Sequence, residues 1–333
     1  MANKAKIAVK IIVFILLFIL LFTAVSEVLR YKSLTGAWNM TQKIHGLKSE
    51  RQNSMDVMFF GSSHMYCTIS PLQLMAEYGF TSYVYCTQQQ PLWATYHYMK
   101  EALKTQAPKL IVVEMYMATN TEDYLMEGAE SAIIELDMSA NKLGLINSSV
   151  EKSDRLGFVF DIIRYHDRWS ELKANDFDIS YRFKTDPFKG YVLLDHTEPR
   201  DLNYQLSSIT KSTKLTEKNL EYIQKIIELA KSVGSELWFL VSPYEATAEQ
   251  QAVYNSVKQI ADSNNIRFIN YNNDYDSLCL DPQVDFYDKG HVNNVGAKKV
   301  TSDLGKKIKE SIPLTDKRGQ YEQWIDDYNK LLK

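Results

Sequence analysis

The chain has 333 residues, of which 45% are hydrophobic and 24% are charged. This is an ordinary globular composition, and the length allows one sizeable core with an inserted subdomain. Lysine and arginine total 38 against 41 aspartate and glutamate, a formal net charge of −3. Because this balance provides no basic field, nucleic-acid binding is set aside as a function.

The N-terminus is a long apolar segment. It runs from Ile7 to Val25 and is interrupted only by Lys10 and Thr23, close to the roughly 20 residues that a helix needs to cross a membrane. Lysines precede it, which favours a cytoplasmic N-terminus and an exported body. We predict that residues 1–29 are an uncleaved signal-anchor. The alternative is a signal peptide cleaved near Ala24-Val25-Ser26.

The remainder of the chain begins with a polar stretch, residues 30–55, which we predict to be a stalk between the anchor and a domain. Short apolar runs bounded by turn residues then alternate with helical patterns. The predicted strands are Val57–Phe60, Ser82–Cys86, Lys109–Tyr116, Glu236–Tyr244 and Ile266–Tyr271. The predicted helices are Leu72–Tyr78, Leu92–Leu103, and segments of about 217–233, 246–264 and 294–312.

Continuously apolar strands that alternate with helices predict a parallel sheet covered by helices on both faces. Residues 56–312 would form this domain. The region of about 120–214 breaks the alternation, so we predict an insertion there that is suited to act as a lid over the crevice. Residues 313–333 carry apolar side chains at helical spacing and are expected to dock as an amphipathic helix.

The three cysteines, Cys67, Cys86 and Cys279, have neither CxxC spacing nor histidine partners at metal-binding intervals. No metal site is expected from them. We interpret them as three small buried residues, although a disulfide between Cys67 and Cys86 is the alternative in an exported protein.

Two distant motifs carry residues that could do chemistry. "FFGSSH" ends the first predicted strand, and "DFYDKGHVN" precedes the last core helix. Asp288 and His291 are three residues apart, so one tight turn can place the carboxylate against the imidazole Nδ1 and leave Nε2 free as a base. A serine facing Nε2 would complete a nucleophilic set. Taken alone, the serines would be an ordinary helix cap.

Together these motifs resemble the SGNH (GDSL-like) hydrolase superfamily. They are most similar to its membrane-anchored branches, which include the D-alanyl transfer protein of teichoic acid synthesis and the O-acetylation proteins of alginate-type polysaccharides. The resemblance covers most of residues 56–311. It implies a three-layer α/β/α, flavodoxin-like fold with a five-stranded parallel sheet behind the N-terminal transmembrane helix.

The resemblance also implies roles for particular residues. The family's Gly-Asp-Ser falls on Gly61-Ser62-Ser63, so Ser63 is the predicted nucleophile and Ser62 stands where many relatives have aspartate. Asp288 and His291 match the family's Asp-x-x-His. The family's glycine after the second strand is missing here, and Glu114 stands near the place of its asparagine after the third. The oxyanion hole is therefore specified only by the Ser63 N–H.

Further residues are candidates for the pocket. Those near the nucleophile or an oxyanion are Ser62, His64, Cys86, Gln88, Gln90 and Glu114. A polar and aromatic cluster in the insertion is a candidate for substrate contact or lid closure: His166, Arg168 and Trp169. Ordinary helix packing is the alternative for that cluster, and a solvated loop is the alternative for the glutamines.

The function expected from the residues and the resemblance is that of an exported acyltransferase or esterase, anchored in a bacterial cell membrane by one helix. It would modify a cell-surface glycan or teichoic-acid-like polymer through an acyl-serine intermediate, without cofactor or metal. The resemblance implies a membrane-bound O-acyltransferase as the partner that supplies acyl groups. The alternatives are a non-catalytic accessory protein that binds glycan, and a lipase released by signal cleavage.

Overall fold

The computed structural model describes residues 2–202 and 205–331. Its five strands are β1 (Val57–Phe60), β2 (Ser82–Val84), β3 (Leu110–Glu114), β4 (Glu236–Val241) and β5 (Arg267–Asn270). Its first nine α-helices are α1 (Ala2–Leu29), α2 (Met40–Gly46), α3 (Ser63–Tyr66), α4 (Pro71–Tyr78), α5 (Leu92–Ala102), α6 (Met126–Glu135), α7 (Ala140–Ser149), α8 (Arg155–Val159) and α9 (Asp161–Tyr165). The later α-helices are α10 (Glu217–Ser232), α11 (Ala248–Ser263), α12 (Asn294–Ser311) and α13 (Glu322–Leu331).

The five strands form one parallel sheet in the order β2-β1-β3-β4-β5. This is the flavodoxin-like order, so the predicted fold class is confirmed. Alternate side chains of β1 enter the two cores on opposite faces of the sheet: Met58 and Phe60 on one side, Val57 and Phe59 on the other. Because both faces are buried, the strands carry continuous apolar runs.

Side-chain caps fix the starts of several core helices, within a few residues of the predicted positions. Ser70 and Pro71 begin α4, where the Ser70 hydroxyl accepts the Gln73 N–H. The Asn293 carboxamide accepts the N–H groups of Val295 and Gly296 and so begins α12 directly after the "DKGH" loop. That cap fixes the loop that carries the predicted base.

The predicted stalk is wrong, because residues 40–49 pack into the domain. Ile44 and Leu47 lie in the main core, and the Tyr83 hydroxyl donates to the Lys43 carbonyl over 2.7 Å. The Lys43 ammonium is itself buried and donates to the Tyr191 carbonyl. The polar side chains of this segment have distant partners, which a local pattern cannot show.

A 3-10 turn, Tyr116–Thr119, follows β3. The insertion then forms α6 to α9 and four further 3-10 turns, at His166–Ser170, Ala174–Phe177, Ser180–Phe183 and Leu206–Ser208. The C-terminal helix α13 docks through Trp324, as predicted for an amphipathic tail. Cys67 and Cys86 are free and buried, whereas Cys279 is exposed, which corrects the expectation of three buried cysteines. Cys279 lies in a surface turn at a positive φ of 51°.

Candidate active site

Ser63 lies at the junction of β1 and α3. The chain leaves β1 through Gly61, whose φ of +148° favours glycine, and a Cβ there would lie 2.6 Å from Glu114 Cβ. Ser62 is the N-cap of α3, and Ser63 is the first helical residue. The carboxyl end of β1 is next to β3, where the strand order reverses, and ligand crevices open at this point in such sheets.

The structure brings Ser63, His291 and Asp288 together in hydrogen-bonded order. Ser63 Oγ is 2.8 Å from His291 Nε2. His291 Nδ1 is 2.9 Å from Asp288 Oδ1 and 3.1 Å from its Oδ2. The two halves of this arrangement are 228 residues apart in sequence and meet only through the fold.

Short local contacts hold Asp288 in place. Its Oδ1 accepts the N–H groups of Gly290 at 2.8 Å and His291 at 2.9 Å. Partial burial raises the pKa of Asp288, but the hydrogen bonds from the His291 side chain and these amides outweigh it, and the pKa is lowered overall. The carboxylate therefore stays ionised and can stabilise a positively charged imidazole.

Glu114 lies beneath the nucleophile turn and is only 1% exposed. Its Oε2 accepts the Ser62 hydroxyl at 3.0 Å, and its Oε1 accepts the Tyr116 N–H at 2.5 Å. Burial raises the pKa of Glu114 to about 7, despite these hydrogen bonds. Glu114 thus supports the Gly61-Ser62 turn from below and does not line the pocket.

His64 lies in the pocket wall beside the predicted triad. Its ring stacks on Tyr116 at 3.8 Å, meets the Tyr244 ring edge-on at 4.9 Å and lies 5.1 Å from the His291 ring. Burial and the nearby His291 lower the pKa of His64 well below its ordinary value. His64 is therefore a neutral wall residue, and its Nδ1 has no hydrogen-bond partner among the described residues.

A cavity of about 710 Å³ opens above Ser63 and His291. Its walls come from the loops after β1, β2 and β3, from the loop before α12 and from the insertion, which contributes Leu125 and Glu198. They include Gln88, Gln89, Met117, Thr119, Asn120, Leu125, Glu198, Lys289 and Gly290. A nucleophile at the base of such a cavity is accessible to a substrate of moderate size.

Besides Ser62 and Glu114, two further predicted pocket residues, Cys86 and Gln90, lie outside the cavity. The Gln90 side chain is fully buried. Its Oε1 accepts hydrogen bonds from Thr87, and its Nε2 donates to the Thr95 hydroxyl at 3.0 Å. Cys86 is also buried, with Sγ 3.7 Å from the Phe59 carbonyl. Both stabilise the loop after β2 from inside, and Gln88 and Gln89 are the amides that reach the cavity.

The insertion cluster is not part of this cavity either. Arg168 donates to the Leu29 carbonyl at 2.5 Å and to Asp176 at 2.9 Å, next to the end of α1. His166 and Trp169 are exposed on the same turn. None of the three lines the cavity above Ser63, although Arg168 lines a neighbouring cavity that Gln88 also lines.

Sequence reasoning missed the two tyrosines that enclose His64. Tyr116 and Tyr244 follow β3 and β4 closely, at the same edge of the sheet as Ser63. The rule that ligands bind at the carboxyl ends of parallel strands could have found them. Among the described residues, no group of His, Cys, Asp or Glu side chains is arranged to hold a metal ion.

The fold and site define a flavodoxin-like α/β protein with a serine, a histidine and an aspartate in hydrogen-bonded order. No family model matches the chain, and no curated protein matches it. Among solved structures, it is similar to a Bacteroides fragilis protein assigned by name as an acylhydrolase, with 12% sequence identity and a TM-score of 0.39. That match covers 80% of this chain and 93% of the other. The similarity concerns the chain path alone.

Proposed function

We propose that this protein is a membrane-anchored, serine-dependent acyltransferase or esterase that acts on a cell-surface glycan. The 2.8 Å contact between Ser63 Oγ and His291 Nε2 is the observation that carries the proposal. A nucleophile, a base and an orienting carboxylate in this order are the working parts of acyl transfer. A binding protein has no need of this hydrogen-bonded order.

In the proposed reaction, His291 Nε2 takes the Ser63 proton as Oγ bonds to the carbonyl carbon of an acyl donor. Asp288 holds the imidazole and stabilises its positive charge. The tetrahedral intermediate collapses, the bond to the leaving group breaks, and His291 returns the proton to that group. An acceptor hydroxyl, or water, then loses its proton to His291 as its oxygen bonds to the acyl carbon. The bond from that carbon to Ser63 Oγ breaks, and His291 returns the proton to Ser63.

The negative oxygen of the intermediate needs donors fixed in advance, since losing one costs on the order of 100-fold or more in rate. The Ser63 N–H, at the first turn of α3, is one such donor. We assign the second to the Gln88 amide, which reaches the cavity that Ser63 lines. The Gln90 amide is already held by Thr95.

Two features support a surface polymer as the acceptor. The cavity wall carries hydroxyl, amide and charged groups, including Thr119, Asn120, Glu198 and Lys289, which suit a polyhydroxy substrate. Residues Asn3–Leu29 form a helix long and apolar enough to cross a membrane, and none of its most apolar window is buried in the domain. As an anchor, it would keep the site beside the cell surface. A membrane-bound O-acyltransferase remains the proposed donor partner.

The test compares adjacent serines in the full-length protein. A fluorophosphonate probe should label the wild type and Ser62→Ala but not Ser63→Ala. Hydrolysis of a small acetyl ester should follow the same order, and acyl transfer to an oligosaccharide, detected by mass spectrometry, would distinguish a transferase from an esterase. Equal labelling and equal hydrolysis in wild type and Ser63→Ala would refute the proposal and favour a non-catalytic glycan-binding protein.

A further inference from the structure

The insertion exposes a concentration of large apolar side chains in a short stretch of sequence. Trp169 is 73% exposed, Phe177 61% and Phe183 78%. Three apolar neighbours in the same stretch are 43–54% exposed. We call the six residues the apolar collar: Phe160, Ile163, Trp169, Phe177, Ile179 and Phe183. Exposed apolar surface of this extent is uncommon in a soluble protein and indicates an interaction site.

The collar surrounds the end of α1 where the chain enters the domain. The Phe160 ring meets Phe22 of α1 edge-on, with centroids 6.1 Å apart. Lys32, just after α1, donates to the Asp176 carbonyl at 2.6 Å. Glu27 of α1 accepts from Arg182 at 2.9 Å. These contacts fix the collar at the level where α1 would pass from hydrocarbon to headgroups.

We propose that the apolar collar is a second membrane contact, which lies in the outer surface of the phospholipid bilayer around α1. We choose a bilayer as the partner of this surface because the apolar collar adjoins α1, a helix long and apolar enough to span a membrane. The composition agrees, because tryptophan and phenylalanine among charged residues are typical of segments that lie in the membrane interface. With two membrane contacts, α1 and the apolar collar, the domain would keep one orientation relative to the bilayer.

A cavity between α1 and the insertion supports this occupant. It has a volume of about 670 Å³ and is lined on the α1 side by Phe18, Ile19 and Phe22, and on the other by Val159 and Phe160. Charged groups, among them Arg30 and Lys142, line its remaining wall. An apolar cavity beside a membrane helix with a charged edge suits a lipid acyl chain whose headgroup stays near that edge.

The charges of the segment that carries the apolar collar decide whether its attraction to lipid is electrostatic or apolar. Residues 156–184 contain five lysines and arginines and five aspartates and glutamates, which cancel. Apolar burial must therefore supply the attraction, and the contact should form on zwitterionic lipid and change little with salt.

The test uses the full chain in nanodiscs of phosphatidylcholine, after intact mass has shown that residues 1–29 are present. In a Cys279→Ser background, an environment-sensitive fluorophore is attached to Phe183→Cys or, as the matched control, to Val233→Cys, an exposed apolar site outside the collar. Lipids with a nitroxide near the headgroup should quench the Phe183→Cys probe at least about twofold more than the control. Phosphatidylglycerol should not increase this difference.

Equal quenching at both sites would overturn the proposal, as would quenching that requires anionic lipid. A Phe183→Cys probe that is shielded in native membranes but not quenched in pure lipid discs would also overturn it, in favour of a membrane-embedded protein partner. A second measurement avoids labels: nitroxide lipid should quench wild-type tryptophan fluorescence more than that of Trp169→Phe.

Discussion

Replacing Glu114 by glutamine should remove a pH dependence of stability that the wild type carries. The wild-type carboxyl is 1% exposed, and its pKa is raised by burial to about 7, from an ordinary value of 4.5. Glutamine keeps the length and an oxygen acceptor for the Ser62 hydroxyl or the Tyr116 N–H. It therefore preserves most of the packing while removing the titration.

The direction in which the free energy of unfolding changes with pH follows from proton binding to Glu114. Between pH 4.5 and 7 the folded protein holds a proton on Glu114 that the unfolded chain has lost, so the free energy of unfolding falls as pH rises through this window. Below pH 4.5 both states are protonated, and above pH 7 both are ionised, so the contribution is constant there. At about 1.4 kcal/mol per pKa unit, the full change is about 3 kcal/mol.

The measurement is urea unfolding of the full-length protein in detergent at several pH values from 4.5 to 8. Relative to Glu114→Gln, the wild type should lose about 3 kcal/mol across the window. Glu122→Gln, which removes an exposed carboxylate nearby, is the matched control and should follow the wild type. Parallel pH curves for wild type and Glu114→Gln would show that Glu114 is ionised in the fold at all these pH values and refute the reasoning.

Three further changes test other contacts. Asp288→Asn should lower kcat for ester hydrolysis on the order of 1,000-fold or more with KM little changed, because Asn cannot stabilise the imidazolium; a loss under tenfold would argue against its orienting role. Ile44→Ala should lower the free energy of unfolding by about 2–5 kcal/mol in urea, whereas a stalk residue would leave it unchanged. Gly61→Ala should destabilise more than Gly36→Ala, because both have positive φ but only Gly61 meets a neighbour within 4 Å; equal unfolding midpoints would contradict this.

The sheet and its helices could be predicted because their signals are local. The central strands β1, β3 and β4 are largely apolar runs, and a cap such as Asn293 marks a helix start without reference to the rest of the chain. Asp288 and His291 were predictable for the same reason, since three residues separate them. The prediction of Ser63 as the nucleophile depended on the family resemblance as well, because Ser63 lies far from His291 in the sequence.

The errors concern polar side chains with distant partners. Polar residues, among them Lys43, made residues 30–55 look like a stalk, yet the Lys43 ammonium is buried and donates to the Tyr191 carbonyl, 148 residues away. Gln90 looked like an oxyanion donor, but a contact with Thr95 turns it inward. Arg168 was expected either to contact substrate or to pack within the insertion, and it donates to the Leu29 carbonyl at the end of α1. In each case the residue type was informative, and its partner was set by tertiary structure.

The serine at position 62 has a physical explanation in this structure. Its hydroxyl lies 3.0 Å from the Glu114 carboxylate oxygen. An aspartate at position 62 would place a second carboxyl beside a fully buried first one, and two such groups cannot both ionise. Serine donates a neutral hydrogen bond and avoids that repulsion. Ser62 and Glu114 therefore act as a pair, in which the hydroxyl at the end of β1 donates to the buried carboxyl at the end of β3.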